Sequence, residues 1–200
     1  MGSIGISVVR REAKDKVEGR LKYLNDYSSP DLLYGAIKTS TFAHARIKSI
    51  DISEAIKMPG VRAVLTGKDL PYRFGIYLGD KPPLAIDKVR YFGEPVAAVV
   101  ADSQREADDA VEAIKVEYEP LEVINSPTEA LAEYAVLIHE EMDQYAHIDA
   151  IKPEPGTNIA NRTKIRKGDI KEGFEKSDVI IEETFSFPPS DHVAMETRAA

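Results

Sequence analysis

Residues 95–101, Pro-Val-Ala-Ala-Val-Val-Ala, constrain the fold more than any other part of this chain. An apolar run that does not alternate reads as a strand buried on both faces, so material must cover it on each side. Pro95 stands at the strand start, where its missing N–H is tolerated. Ser103-Gln104-Arg105-Glu106 follows as a capping box, the Ser103 hydroxyl serving one free N–H and Glu106 reaching back to another. In the helix it opens, Ala107, Ala110, Val111 and Ile114 form one apolar stripe at i, i+3, i+4 and i+7. Val116 and Tyr118 then alternate with Lys115, Glu117 and Glu119, the pattern of a half-buried strand. The segment is predicted to be a β-α-β unit.

A second, smaller β-α-β unit is predicted upstream. Leu33, Ile37, Ile47 and Ile50 punctuate two strand-like pieces in a hairpin-like arrangement. A short helix over residues 51–58 is stopped by Pro59-Gly60 before the strand of residues 61–66. Residues 67–87 hold three glycines, three prolines and the aromatics Tyr72, Phe74 and Tyr77, and read as a long ordered loop. Loops of that length are either functional or surface excursions with pinned aromatics.

Ser126-Pro127-Thr128-Glu129 is another capping box, with proline at the first helical position. Lys152-Pro153-Glu154-Pro155-Gly156 is a stiff linker, which places a domain boundary within residues 134–163. Beyond it, a short helix carries Ile170 and Phe174 on one face. A strand over residues 179–187 is predicted from Val179, Ile181, Phe185 and Phe187. The chain stops at Ala200 without the look of a finished C-terminus.

A net charge of -8 without a Lys/Arg cluster excludes a nucleic-acid partner. With no cysteine there is no disulfide, thiol nucleophile or iron–sulfur ligand set. No signal peptide precedes Arg11 and no apolar run spans a bilayer, so no membrane contact and a cytoplasmic location are expected. The Asn161-Arg162-Thr163 sequon is then a chance occurrence.

The histidines are His44, His139, His147 and His192. His139-Glu140-Glu141 lacks the second histidine of a zinc-protease helix and reads as a solvated acidic patch. Gly67-Lys68-Asp69 lacks the spacing of a phosphate loop and reads as a strand-ending turn. Glu94, between Gly93 and Pro95, reads as a structural turn residue. The set of catalytic, cofactor-binding and metal-ligating residues expected in this chain is therefore empty. From the residues alone, the reading is an α+β binding or structural domain.

A resemblance goes further. Ile4-Gly5, Val9, Arg11, Lys16-Val17, Gly19 and Tyr23 are similar to the lead-in of the molybdenum-binding large subunit of the xanthine dehydrogenase and aldehyde oxidase family, with Glu18 where a threonine is usual. Ala43-His44-Ala45-Arg46-Ile47, Gly60-Val61, Ala63-Val64-Leu65-Thr66, Asp69, residues 88–101 and Val116-Glu117-Tyr118-Glu119 resemble its α/β hammerhead domain. Gly168-Asp169, Phe174, Asp178-Val179 and His192-Val193-Ala194-Met195-Glu196 resemble the entry into its first molybdopterin-binding domain, with Thr197 where proline is common.

The resemblance implies an α+β fold in four parts. These are a lead-in (residues 1–20), the hammerhead domain (21–125), a short helix and Pro/Gly linker (126–165), and the truncated start of a molybdopterin-binding domain (166–200). It implies an oxidoreductase that hydroxylates a purine, N-heterocycle or aldehyde with oxygen from water. Molybdenum–molybdopterin would sit in the complete enzyme, with 2Fe-2S and FAD on iron–sulfur and flavin subunits or domains. The family's active-site residues lie beyond this chain, so the chain alone is expected to be inactive, to bind no cofactor and to self-associate where the rest of the subunit would dock. A stand-alone scaffold of the same fold is the alternative.

Overall fold

The computed structural model describes residues 4–196 and 198, so the Thr197 departure lies outside the described residues. Two units divide the chain: residues 1–32 with 168–200, and residues 33–167.

In the first unit, α1 (Ala13–Val17) is followed by a 3-10 turn at Leu24–Asp26, where Asp26 accepts from the Tyr23 N–H at 2.8 Å. The second unit carries β1 (Tyr34–Thr39), β2 (Ala45–Asp51), β3 (Val61–Thr66), β4 (Lys88–Val89), β5 (Pro95–Ala101), α2 (Gln104–Ala113), β6 (Lys115–Pro120) and α3 (Pro127–Ala130). In the first unit again, α4 (Ile170–Glu175) is capped by Asp169, whose carboxylate accepts from the Lys171 and Glu172 N–H groups at 2.9 and 3.1 Å.

Two antiparallel three-stranded sheets form, ordered β1-β5-β3 and β4-β2-β6. The apolar run of β5 is the central strand of the first. Val64, Ala97 and Val99 from this sheet meet Ala110 and Val111 from α2 and Ile114 at its C-terminal cap, and Ala55 completes the cluster. Fully burying a valine there contributes about 1.5–3 kcal/mol. Val96, at the start of β5, turns instead to Ala45, Ala85 and Val89, while Val116 of β6 touches both clusters. The sheets are thus joined through the strands that flank α2.

Helix α2 and its stripe form as predicted, and the Ser103 hydroxyl accepts from the Glu106 N–H at 3.3 Å. The Glu106 carboxylate, however, takes its hydrogen bond from the Ser103 hydroxyl at 2.8 Å and not from a backbone N–H. In the other box, Ser126 accepts from the Glu129 N–H at 3.2 Å and Glu129 accepts from the Asn125 N–H at 2.8 Å.

Four local expectations are corrected. The strands around residues 32–50 are no hairpin, because β1 pairs with β5 while β2 pairs with β4 and β6. Neither predicted β-α-β unit lies in one sheet: β2 and β3 are in different sheets, and so are β5 and β6. The helix expected over residues 51–58 is a single 3-10 turn, Ala55–Lys57, with only Ala55 buried. Residues 179–187 form no strand and are exposed throughout. An alternating apolar pattern says which face would be buried, but a strand exists only where a second strand pairs with it.

Candidate functional site

The Gly-Glu-Pro turn is built for structure. Gly93 takes φ +82, which a side chain would resist, and the Glu94 N–H closes the turn on the Tyr91 carbonyl at 3.2 Å. The Glu94 carboxylate is 4% exposed and accepts from the Arg90 N–H; burial raises its pKa. Its backbone carbonyl accepts from Ser40 at 2.8 Å. These bonds, with that from the Gly93 N–H to the Ser40 carbonyl at 2.9 Å, hold the start of β5 against the end of β1.

The histidines stay apart. His44 is buried, and its Nδ1–H donates to the Glu122 carbonyl. His147 and His192 are exposed, against the Ile148 carbonyl and the Asp191 carboxylate. Asp69 accepts from the Thr66 N–H at 2.7 Å, the strand-ending turn that was expected. Among the described residues, no group of three or more His, Asp or Glu could hold a metal ion.

Charge gathers instead at β4. Antiparallel pairing sets Lys88 opposite Arg46, a like-charge pair that needs an anion. Glu140 supplies it, taking a hydrogen bond from the Lys88 ammonium and lying 4.0 Å from the Arg46 guanidinium. Lys88 is fully buried, and its partner carboxylate stays partly in water. Burial pushes the Glu140 pKa up, but the Lys88 hydrogen bond and charge bring the net value below the usual carboxylate range.

One residue pair farther along the strand edge, Arg90 donates to the Ile138 carbonyl at 3.1 Å and faces Glu141 at 3.6 Å. Arg73 completes the cluster, 4.0 Å from Glu141 and 5.0 Å above the Tyr145 ring. The Tyr145 hydroxyl donates to Glu141 at 3.2 Å, so the 2.9 Å contact with His139 must have the histidine Nδ1–H as donor. Burial first, and the Arg90 charge second, push His139 down to about 4. It is neutral at pH 7 and committed to Tyr145.

The acidic pair is therefore not the solvated patch that the sequence suggested. It ties residues 138–145 to β4 across four cations. Asn158 fastens the adjoining segment, accepting from the Ile138 N–H at 2.9 Å and donating to the Val136 carbonyl at 2.9 Å. The same segment pins the long loop, where the Gly79 N–H donates to the Ala146 carbonyl at 2.7 Å. The loop's backbone is held, while Tyr72, Ile76 and Tyr77 remain exposed. Perturbed titration in this cluster follows from ion pairing and burial.

The cations were missed because Arg46, Arg73, Lys88 and Arg90 are scattered in sequence. The one available signal was Lys88 and Arg90 at strand spacing beside an apolar run.

Among the described residues, the best-formed cavity is a poor fit for a pterin cofactor. A cavity of about 490 Å³ between residues 122–125 and 129–136 is lined by Glu122, Glu129 and Glu133, the wrong sign for a phosphate-bearing ligand. Residues 162–196 are exposed along their length.

Comparison with known proteins supplies the context. The family model for the a/b hammerhead domain of aldehyde oxidase and xanthine dehydrogenase matches residues 18–122, and that for a molybdopterin cofactor-binding domain matches residues 151–200. A probable xanthine dehydrogenase subunit of Bacillus subtilis is 42% identical over 193 residues, covering 96% of this chain and 24% of that protein. The nicotinate dehydrogenase large molybdopterin subunit of Eubacterium barkeri is 36% identical over 198 residues, 98% of this chain and 43% of that one.

Among solved structures, CO dehydrogenase from Oligotropha carboxidovorans superposes with a TM-score of 0.64 at 40% identity, over 69% of this chain and 18% of that chain. The aldehyde oxidoreductase of Desulfovibrio gigas gives 0.59 at 37% identity, over 65% and 16%. The chain thus spans 24% of the length of the Bacillus relative and 43% of that of the Eubacterium one. On the hammerhead match over more than half its length, with the cofactor-domain match after it, the chain belongs to the aldehyde oxidase and xanthine dehydrogenase family of molybdenum enzymes.

Proposed function

We propose that these 200 residues are the N-terminal portion of a molybdenum-cofactor-dependent oxidoreductase subunit, and that their role is assembly and shape. The observation that carries this reading is the order of the two family matches, a hammerhead domain and then the beginning of a cofactor domain, in a chain that covers 24% of a relative 42% identical to it. The complete enzyme hydroxylates a purine, N-heterocycle or aldehyde. Bound molybdenum–molybdopterin supplies the two-electron oxidation, with the oxygen drawn from water and the electrons passed to iron–sulfur and flavin partners.

Within that enzyme, the cluster of Lys88, Arg90, Glu140 and Glu141 fixes the segment that leaves the hammerhead domain. Supporting a non-catalytic role, the ionisable groups of this cluster are paired with one another. The domain limits proposed are a lead-in to residue 20, the hammerhead to 125, a connecting segment to 165 and the cofactor domain beyond. A cytoplasmic location is part of the same reading.

The test is to recover the native polypeptide from its source with an antibody to residues 33–167 and determine its mass. A polypeptide several times longer, which reduces a dye with a purine, nicotinate or aldehyde, supports the reading. A polypeptide that ends at residue 200 contradicts it.

A further inference from the structure

The two family matches and the two folded units divide the chain differently. The hammerhead match begins at residue 18, yet residues 18–32 fall in the unit that also contains residues 168–200. The cofactor-domain match begins at residue 151, yet residues 151–167 fall in the unit of the hammerhead strands. One bond marks the first of these crossings. The Leu24 N–H donates to the Glu196 carboxylate at 3.0 Å, across 172 positions of sequence.

The 3-10 turn at Leu24–Asp26 needs such an acceptor. Its own bonds run from the Asp26 N–H to the Tyr23 carbonyl at 2.9 Å and from the Tyr27 N–H to the Leu24 carbonyl at 3.2 Å. The N–H groups that open a turn have no carbonyl within it to reach. The Asp26 carboxylate takes the Tyr23 N–H, and the Leu24 N–H is left for Glu196. Leu24 is half-buried, whereas residues 25–32 are all exposed. The chain is also set in place on the Glu196 side. Val193 takes φ 45, in the left-handed region that a β-branched side chain resists. Strain of this kind persists only where neighbouring bonds hold it. The Asp191 carboxylate accepts from the His192 N–H at 2.7 Å just before Val193, and Glu196 is tied to Leu24 just after it.

We infer that Glu196 is a positioning residue, whose carboxylate holds the turn of residues 23–26 within the molybdopterin-binding domain. That domain is then discontinuous in sequence, and residues 33–167 are inserted into it. Residues 21–32 thereby leave the hammerhead limits proposed above. The inference goes beyond the proposed function and needs only the 200 residues. A source polypeptide that ends at residue 200 ends that reading and leaves this one standing.

Hydrogen exchange followed by mass spectrometry tests it, on the 200-residue chain at high dilution and over a urea series. Peptides from residues 21–32 are predicted to lose protection together with those from 168–200, and at a different urea concentration from those of 33–125. Glu196→Ala should speed exchange at the Leu24 amide about ten-fold, because the bond that closes it is gone. The same variant should lower the urea midpoint of both terminal groups of peptides and leave residues 33–125 unmoved. Glu196→Gln keeps a carbonyl oxygen at the same reach and should restore most of the protection. If the alanine variant folds poorly, the unaltered chain and the glutamine variant still decide the matter. Residues 21–32 that open together with residues 33–125 overturn the inference. So does a Leu24 amide that exchanges at one rate in all three proteins.

Discussion

At the scale of single residues, the buried end of the Lys88–Glu140 pair decides its energetics. Lys88 is 1% exposed in its side chain and Glu140 43%. Removing the carboxylate leaves an ammonium with no anion in the interior, whereas removing the ammonium leaves a carboxylate that water reaches. Glu140→Ala is expected to cost about 2 kcal/mol, in the range for hydrogen bonds to charged groups. Lys88→Met is expected to cost at most about 1 kcal/mol, like a surface pair. Urea denaturation of both variants checks this, and the opposite order would contradict it. His139 gives the pH signature. Burial, then Arg90, lowers its folded pKa from 6.5 to about 4, so the unfolded chain takes up the proton first as pH falls. Stability from this group is complete above about 6.5 and is lost between there and about 4. In His139→Asn the stability profile should flatten across that window; an unchanged slope would contradict the assignment. The central apolar run and its capping serine were legible because both act through near neighbours in sequence. The charge cluster was not, since no local pattern brings Arg73, Lys88 and Glu141 together.

At the scale of elements, local rules succeeded and pairing rules failed. Helix α2 announced its start and its stripe, because capping and a 3.6-residue period are properties of ten consecutive residues. Ser103→Ala should cost about 1 kcal/mol, seen as a lower thermal midpoint. No loss at all would show that the cap is idle. Strand partners are set by residues tens of positions apart: β1 finds β5 across 55 residues of intervening chain, residues 40–94. The short local connections therefore suggested a hairpin and two single-sheet units that do not exist. The end of β3 shows how closely the chain is fitted there. A Cβ on Gly67 would stand 2.3 Å from the Ala85 carbonyl oxygen, and backbone cannot yield as a flexible side chain does. Gly67→Ala is expected to cost about 1–3 kcal/mol, the range for forced overpacking. A substitution that leaves the urea midpoint unchanged would show that the loop closes differently.

At the scale of the whole molecule, the proposed role of the hammerhead domain is assembly and shape. Val179, Ile181, Phe185 and Phe187 are 76–86% exposed. The isolated chain should therefore bind a hydrophobic dye and elute above its monomer mass; a monodisperse monomer that binds none would count against this. Family membership was legible from motifs in order, whereas the substrate was not. The most direct measurement is molybdenum content after expression in a cofactor-producing host, for the 200-residue chain and for the full-length protein in parallel. The account predicts about one molybdenum per full-length polypeptide and a small fraction of that in the shorter chain. Stoichiometric molybdenum in the 200 residues alone would contradict it.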